Sequence, residues 1–324
     1  MTHTPPDLQA VKALRETLGS KIVRTPTIRC AGIEDELDNG TSVFGKLEFL
    51  QHTGTFKARG ALAAVSTLDK EQLAAGITAV SAGNHAIATA FAAREAGTHA
   101  KLVMIASANP VRIAACREYG GDIIMAENAH LAFELAEQVQ QEEGRFLVHP
   151  FDGPDIATGT GTVGLEISEQ VDKFDAVIVS IGGGGLIGGI SNVLKQLRPD
   201  CKVIGVEAEG ADSMHRSFAA GQAKSIEKVR TIADSLGAPF ATPYSYSLCK
   251  KNVDQLAMVS DRDLQETMGF LYKHMKIAVE PACTAATAAL LGPLREQLQG
   301  QKVVLVFCGS NIDWLTWQEQ AILD

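Results

Sequence analysis

No C-x-x-C pair, no excess of positive charge and no apolar stretch of membrane-spanning length occurs in this chain, and each absence removes a class of function. The six cysteines (Cys30, Cys116, Cys201, Cys249, Cys283 and Cys308) are scattered, without metal-ligand spacing or His-rich neighbours. Neither a zinc cluster nor a disulfide framework is indicated, and reduced thiols in a cytoplasmic protein are expected. Acidic residues outnumber basic ones by 38 to 29, a net charge of -9, which leaves no footprint for nucleic acid or an anionic membrane. Met1 to Glu16 lacks the apolar segment of a signal peptide, so neither secretion nor membrane insertion is expected. Internal repeats and low-complexity tracts are missing too.

What remains is an ordinary globular composition, 46% hydrophobic and 21% charged over 324 residues, enough for a large core and two lobes. Short β-rich runs alternate with helical stretches, the pattern of an α/β chain with a mostly parallel sheet covered on both faces. The alternation from Gly76 to Val148 is regular enough to close a small lobe over 76–148. The larger lobe then combines 1–75 and 149–324. The stretch from His149 to Gly161, with Pro150 and Pro154, reads as the crossing between them, ahead of a helix from Thr162 to Val171. Gly221 to Tyr246 reads as loop-rich.

Lys57 lies where a strand-like run, Ser42 to Glu48, gives way to an Ala/Leu-rich helix from about Phe56 to Leu68. A helix N-terminus and the apolar neighbours Phe56, Ala58, Ala61 and Leu62 both push an amine's pKa down. A neutral amine can form a Schiff base with a carbonyl. A lone lysine is more often a solvated surface charge, so the reading depends on what else the chain offers.

Gly182 to Gly185 follow a buried-looking strand and precede a helix beginning near Leu186. Four residues without side chains let backbone N–H groups converge on a phosphate, helped by the helix dipole, although a tight turn alone would also use glycine. Gly183, Gly185 and Gly188 also fit G-x-G-x-x-G, with Glu207 near the place of a ribose-binding acid, so a nicotinamide-dependent oxidoreductase is an alternative. That alternative gives no reason for Lys57. Ser81, Ala82, Gly83, Asn84 and His85 sit at a strand end and helix start, where amides can hold a carboxylate and Asn84 can meet a ring oxygen. A plain helix cap is the simpler reading, and His85 reads as structuring the turn. Cys308 ends the last strand, at the sheet edge where ligands bind.

Taken together these motifs resemble the fold type II pyridoxal-phosphate enzymes, specifically the threonine/serine dehydratase and serine racemase group. The resemblance spans nearly the whole chain: Lys46-Leu47-Glu48, Thr53 to Lys57, Arg59-Gly60-Ala61, Ser81 to His85, Gly161 to Glu166, the four glycines, Val279-Glu280-Pro281-Ala282 and Gly309-Ser310-Asn311. It implies a two-lobed architecture similar to the tryptophan synthase β subunit, with mostly parallel twisted sheets covered by helices. It implies pyridoxal 5'-phosphate joined to Lys57 beside Phe56, its phosphate on Gly182, Gly183, Gly184, Gly185 and Leu186, its ring hydroxyl at Asn84 and its nitrogen at Cys308. The substrate carboxylate falls to residues 81–85. An uncharged thiol does not hold the ring nitrogen protonated, which favours prompt loss of a β-substituent.

The activity so implied is an ammonia-lyase (dehydratase) reaction. A β-hydroxy-α-amino acid such as L-threonine or L-serine displaces Lys57, the freed amine removes the Cα proton, and a 2-oxo acid and ammonia result. A serine racemase is the alternative within the fold, weakened because racemases of the group have serine at the position of Ala82. Thr55 and Thr160 also depart from the group's usual serine and glutamine. Some members hold a divalent cation, Mg or Ca; the matching residues are Glu207, Ala211 and Ser213, with Asp212 or Glu209 as substitutes for the weak serine ligand. The run to Asp324 carries nothing resembling a feedback-control extension, so a catabolic or specialised enzyme is expected, and family analogy implies a homodimer.

Overall fold

A computed structural model of the chain describes residues 4–81, 83–106 and 108–323. Ten strands make two sheets: β1 (Thr27–Arg29), β2 (Ser42–Leu47), β3 (Ile77–Val80), β4 (Ala100–Ile105), β5 (Asp122–Ala126), β6 (Phe146–Leu147), β7 (Ala176–Ser180), β8 (Lys202–Ala208), β9 (Gln255–Val259) and β10 (Lys302–Phe307). Six lie in the order β1-β2-β10-β7-β8-β9 and four in the order β5-β4-β3-β6. All neighbours run parallel except β1 and β2. The reason is legible in β7, whose five residues are all buried: a strand covered by helices on both faces is apolar throughout rather than alternating.

Parallel strands need helical crossovers, and close packing of those helices depends on missing side chains. A Cβ on Gly164 would come within 2.9 Å of the Ile190 carbonyl, and one on Gly159 within 2.4 Å of the Arg59 carbonyl. These glycines therefore belong to a helix, and the expected crossing loop from His149 to Gly161 is corrected. Pro154 occupies the first turn of a helix running Pro154–Gln170, after Gly153 at φ 106°. Other elements lay below the sequence signal, among them β1, β9 and the helices Ala31–Leu37, Lys70–Ala75 and Pro243–Asn252. The first strand and several of these helices are too short to show a period.

The main core fills the six-stranded sheet, while a second joins the four-stranded sheet to Leu18, Ala58, Leu62, Val65 and Ile156. The helix Lys57–Ser66 thus packs into the smaller sheet's core although its strand, β2, belongs to the larger one. A buried ionic cluster anchors it. Arg59 donates to Glu48 at 2.7 and 2.8 Å and to Glu166 at 2.7 and 3.0 Å, and Lys46 donates to Glu166 at 2.5 Å. Two cations face two anions, all out of water, so the cluster is neutral as a whole.

Candidate active site

β2, β7 and β10 are neighbours, and at their C-terminal ends the chain turns into the segments that bear the expected site residues. The turn after β2 is joined to the one after β10: Phe56 N and Thr55 Oγ1 both donate to the Cys308 carbonyl, at 3.1 and 3.2 Å, and Ser310 N donates to the Gly54 carbonyl at 3.0 Å. Thr53 and Gly54 take φ of 70° and 71° to make this corner. At Gly54 a Cβ would meet Asn311 Oδ1 at 2.6 Å, so the position is closed to larger residues.

A cleft enclosing about 460 Å³ opens there, lined by Phe56, Lys57, Asn84, Gly182 to Gly185, Leu186 and Cys308 among others. Lys57, first residue of its helix, donates from Nζ to the Pro150 carbonyl at 2.5 Å. Burial pushes its ammonium down to about 8, against the pull of the Glu280 carboxylate, so roughly a tenth of it is free amine at pH 7. Gly184 stands at φ 92° as the residue before the helix Gly185–Leu197, whose first amides have no side-chain cap. The bare glycine edge also lets an aromatic ring close in. A Cβ on Gly183 would fall 2.1 Å from the Phe151 ring, and one on Gly185 2.5 Å from the Phe151 carbonyl. Phe151 and Asp152 donate their amides to His149 Nδ1, which fixes that turn.

Asn84 is buried, and its amide orientation follows from its partners: Oδ1 accepts from Asn311 Nδ2 at 2.7 Å, while Nδ2 donates to Glu280 Oε1 at 2.7 Å and Ser235 Oγ at 3.1 Å. His85 bonds the Val148 carbonyl through Nε2 at 2.8 Å. Burial, with the Lys57 charge nearby, pushes its imidazole down to about 3, so it is a neutral anchor for the turn. Ser81 Oγ accepts from Gly83 N at 3.0 Å. Ala82, where racemases of the group carry serine, lies outside the described residues. Cys308 keeps its proton: its contact with Cys283, then burial, hold the thiol well above its ordinary value.

These residues fit pyridoxal phosphate. An amine of lowered pKa shares a cleft with an uncapped helix N-terminus behind four glycines, and Ser180 Oγ, buried in the same cleft, has no partner among the described residues. The cation fits poorly. Both oxygens of Glu207 are filled: Oε1 accepts from Met214 N at 2.7 Å, and Oε2 from His215 N at 2.8 Å and His215 Nδ1 at 2.6 Å. Asp212 is paired with Arg216 at 2.9 Å, and no cluster of three acid, histidine or cysteine ligands exists among the described residues. Ser213 Oγ is buried and unpartnered, but a hydroxyl beside a carbonyl is a poor set for a hard divalent ion. The same donors remove Glu207 from the dinucleotide alternative, where its carboxylate would have to be open to a ribose.

Six cleft residues escaped the sequence reading as sites. Phe151 sits in a turn without periodicity, and Ser235 and Leu236 in the single short turn Asp234–Leu236. Ser180 ends the apolar β7. Glu280 and Ala282 were visible only as part of a motif, on either side of Pro281 at the start of its helix.

Residues 19–309 match the family described as pyridoxal-phosphate dependent enzyme, and the chain belongs to that family. Phenylserine dehydratase of Ralstonia pickettii is 49% identical over 316 residues, 98% of this chain and 96% of that protein. L-threonine ammonia-lyase of Thermotoga maritima is 36% identical over 94% of this chain and 76% of its own length. The solved structure of maize serine racemase superposes with a TM-score of 0.92 at 32% identity, covering 98% of this chain and 97% of that one. Within the family the chain is a pyridoxal-phosphate-dependent ammonia-lyase of the threonine/serine dehydratase group, acting on a β-hydroxy-α-amino acid. Among the described residues no helix is long and apolar enough to cross a membrane.

Proposed function

We propose that this ammonia-lyase takes substrates with an aryl group on the hydroxyl-bearing carbon, with Lys57 as the amine that holds the cofactor and then removes the Cα proton. The observation that carries the substrate class is the aromatic run leading from the cleft. The Phe151 ring lies 5.9 Å from Phe240, and Phe240 lies 6.4 Å from Phe133, which is 41% exposed on a helix beside the other sheet. Rings at these spacings pack well against a further ring. A β-carboxylate would instead call for a cation, and among the described residues Lys57 is the one basic residue lining the cleft. The name of the Ralstonia relative, phenylserine dehydratase, agrees with this reading.

Bound pyridoxal phosphate supplies the electron sink that makes the Cα proton acidic. Lys57, free in part near neutrality, accepts that proton. The amides of residues 182–186 would hold the phosphate, and the protonated thiol of Cys308 would meet the ring nitrogen without adding charge. Asn84 would meet the ring hydroxyl, and residues 81–85 would hold the substrate carboxylate. Residues 76–148 would act as a separate lobe carrying that turn. Six free, buried cysteines suit a reducing cytoplasm, and a homodimer follows by family analogy.

Borohydride treatment should add the cofactor's mass at Lys57, and Lys57→Ala should lose both that adduct and 2-oxo acid release; turnover by the alanine variant would refute the assignment. Phe133→Ala and Phe240→Ala should each lower kcat/KM for phenylserine by about 10-fold while leaving serine nearly unchanged. Equal losses on both substrates, or a wild type that prefers threonine, would sink the aryl assignment. Chiral analysis of serine in the same reactions reports any racemisation.

A further inference from the structure

Arg112 stands on the helix Pro110–Glu118, beside the four-stranded sheet, yet among the described residues its guanidinium hydrogen-bonds segments that cap the six-stranded one. Nε donates to the Asn311 carbonyl at 2.8 Å, Nη1 and Nη2 donate to the two oxygens of Asp234, and Nη2 also donates to Glu280 Oε2 at 3.2 Å. Its stem rests on Gly83, where a Cβ would come within 2.4 Å of Cδ. The Arg112 and Glu280 side chains are only 6% and 1% exposed, so this pair is held out of water. Glu280 Oε1 in turn accepts from Asn84 Nδ2, and Asn84 Oδ1 accepts from Asn311 Nδ2. Each Glu280 oxygen therefore faces an N–H donor, and a proton on the carboxylate would weaken both bonds by removing its charge.

We infer that Arg112 is a positioning residue for the dehydration: reaching from one sheet to the other, it favours the ionised form of Glu280 and thereby fixes the Asn84 amide at the cleft. The inference rests on the assignment of Asn84 to the cofactor. The charged and titratable groups facing Glu280 are Arg112, Asp234, the Lys57 amine and the Cys308 thiol. Burial pushes Glu280 up to about 7, and Arg112 is the largest influence opposing it. Lys57 is the other cation, and the reaction itself changes its charge. Arg112 is thus the permanent counter-charge, and it comes from the side that carries the substrate turn. Drawing the sheets apart removes it, Glu280 takes up a proton, and the bond from Asn84 Nδ2 loses its charge assistance.

The test compares Arg112→Met and Arg112→Lys with the wild type, by the pH profile of kcat/KM of the holoenzymes and by amide hydrogen exchange of the cofactor-free proteins. The methionine variant should move the acid limb up by about 1 pH unit or more, and lysine should restore most of it. In the cofactor-free methionine variant, amides of residues 83–96 should exchange faster than in the wild type. An unchanged acid limb, unchanged exchange, or a lysine variant no better than methionine overturns the inference. Failure to trap cofactor on Lys57 of the wild type would overturn the site assignment instead, while the exchange result still judges Arg112.

Discussion

Replacing Arg59 by methionine isolates what the buried ionic cluster does. Arg59 makes six hydrogen bonds, to Glu48, Glu166, Thr162 and the Val23 carbonyl, from a side chain with no exposure. Methionine fills a similar volume but leaves two carboxylates with Lys46 as their sole cation, a net buried charge of -1. Breaking a buried pair from one side costs about 3 to 5 kcal/mol, and urea or thermal unfolding of the cofactor-free protein reads that loss. The pH dependence gives a sharper reading. Burial pushes the Glu48 carboxyl up, but Arg59, then Lys46 and Thr25, more than offset it, so its folded pKa lies below the ordinary value. In the wild type its contribution is therefore present above an unfolded pKa of about 4.3 and is lost as pH falls. Without Arg59 the burial effect wins, the folded pKa rises above the unfolded one, and stability is lost as pH rises above that point. The deficit of the methionine variant should thus shrink from pH 8 to pH 5. A deficit under about 1 kcal/mol, or one independent of pH, would refute the view that charge balance holds the Lys57 helix in place.

In the cofactor-free protein, labelling of Lys57 by an amine-arylating reagent should rise with a midpoint near pH 8, as peptide mass spectrometry would show; a midpoint above 10 would contradict its burial. Gly183→Ala puts a methyl into the Phe151 ring, so it should cost about 1 to 3 kcal/mol in stability and weaken cofactor retention, both absent if the turn simply shifts. Exhaustive EDTA dialysis, or added Mg or Ca, should leave melting temperature and turnover unchanged, whereas His215→Ala should cost about 1.5 to 3 kcal/mol by removing a donor from Glu207. A chelator-sensitive enzyme would show that a cation does sit there.

The site was legible where chemistry forces a local pattern. Four adjacent glycines and a lysine between a strand and a helix announce themselves because few backbones require them, and the cleft brings them together. The parallel sheet was legible for a similar reason, since strands such as β7 are apolar throughout. Residues that act through distant partners gave no such signal. Arg112 reads as an ordinary surface position of a short helix, and only the fold puts Asp234, Glu280 and Asn311 around it. The partners of Glu207 were hidden for a comparable reason: the carboxylate is plain in the sequence, but only the fold shows that His215 and two amides of the helix Ser213–Ala220 bond it. Glycines misled once, where Gly159 and Gly161 lay in the expected crossing and serve helix packing instead.

β10, the final strand to leave the ribosome, lies between β2 and β7 in the larger sheet. Until it is synthesised, the hairpin of β1 and β2 has no partner on its other edge, and the Cys308 carbonyl that receives Phe56 and Thr55 does not yet exist. The nascent chain therefore cannot assemble its lysine corner before β10 is made, and capture of the vitamin-derived aldehyde must wait for that strand.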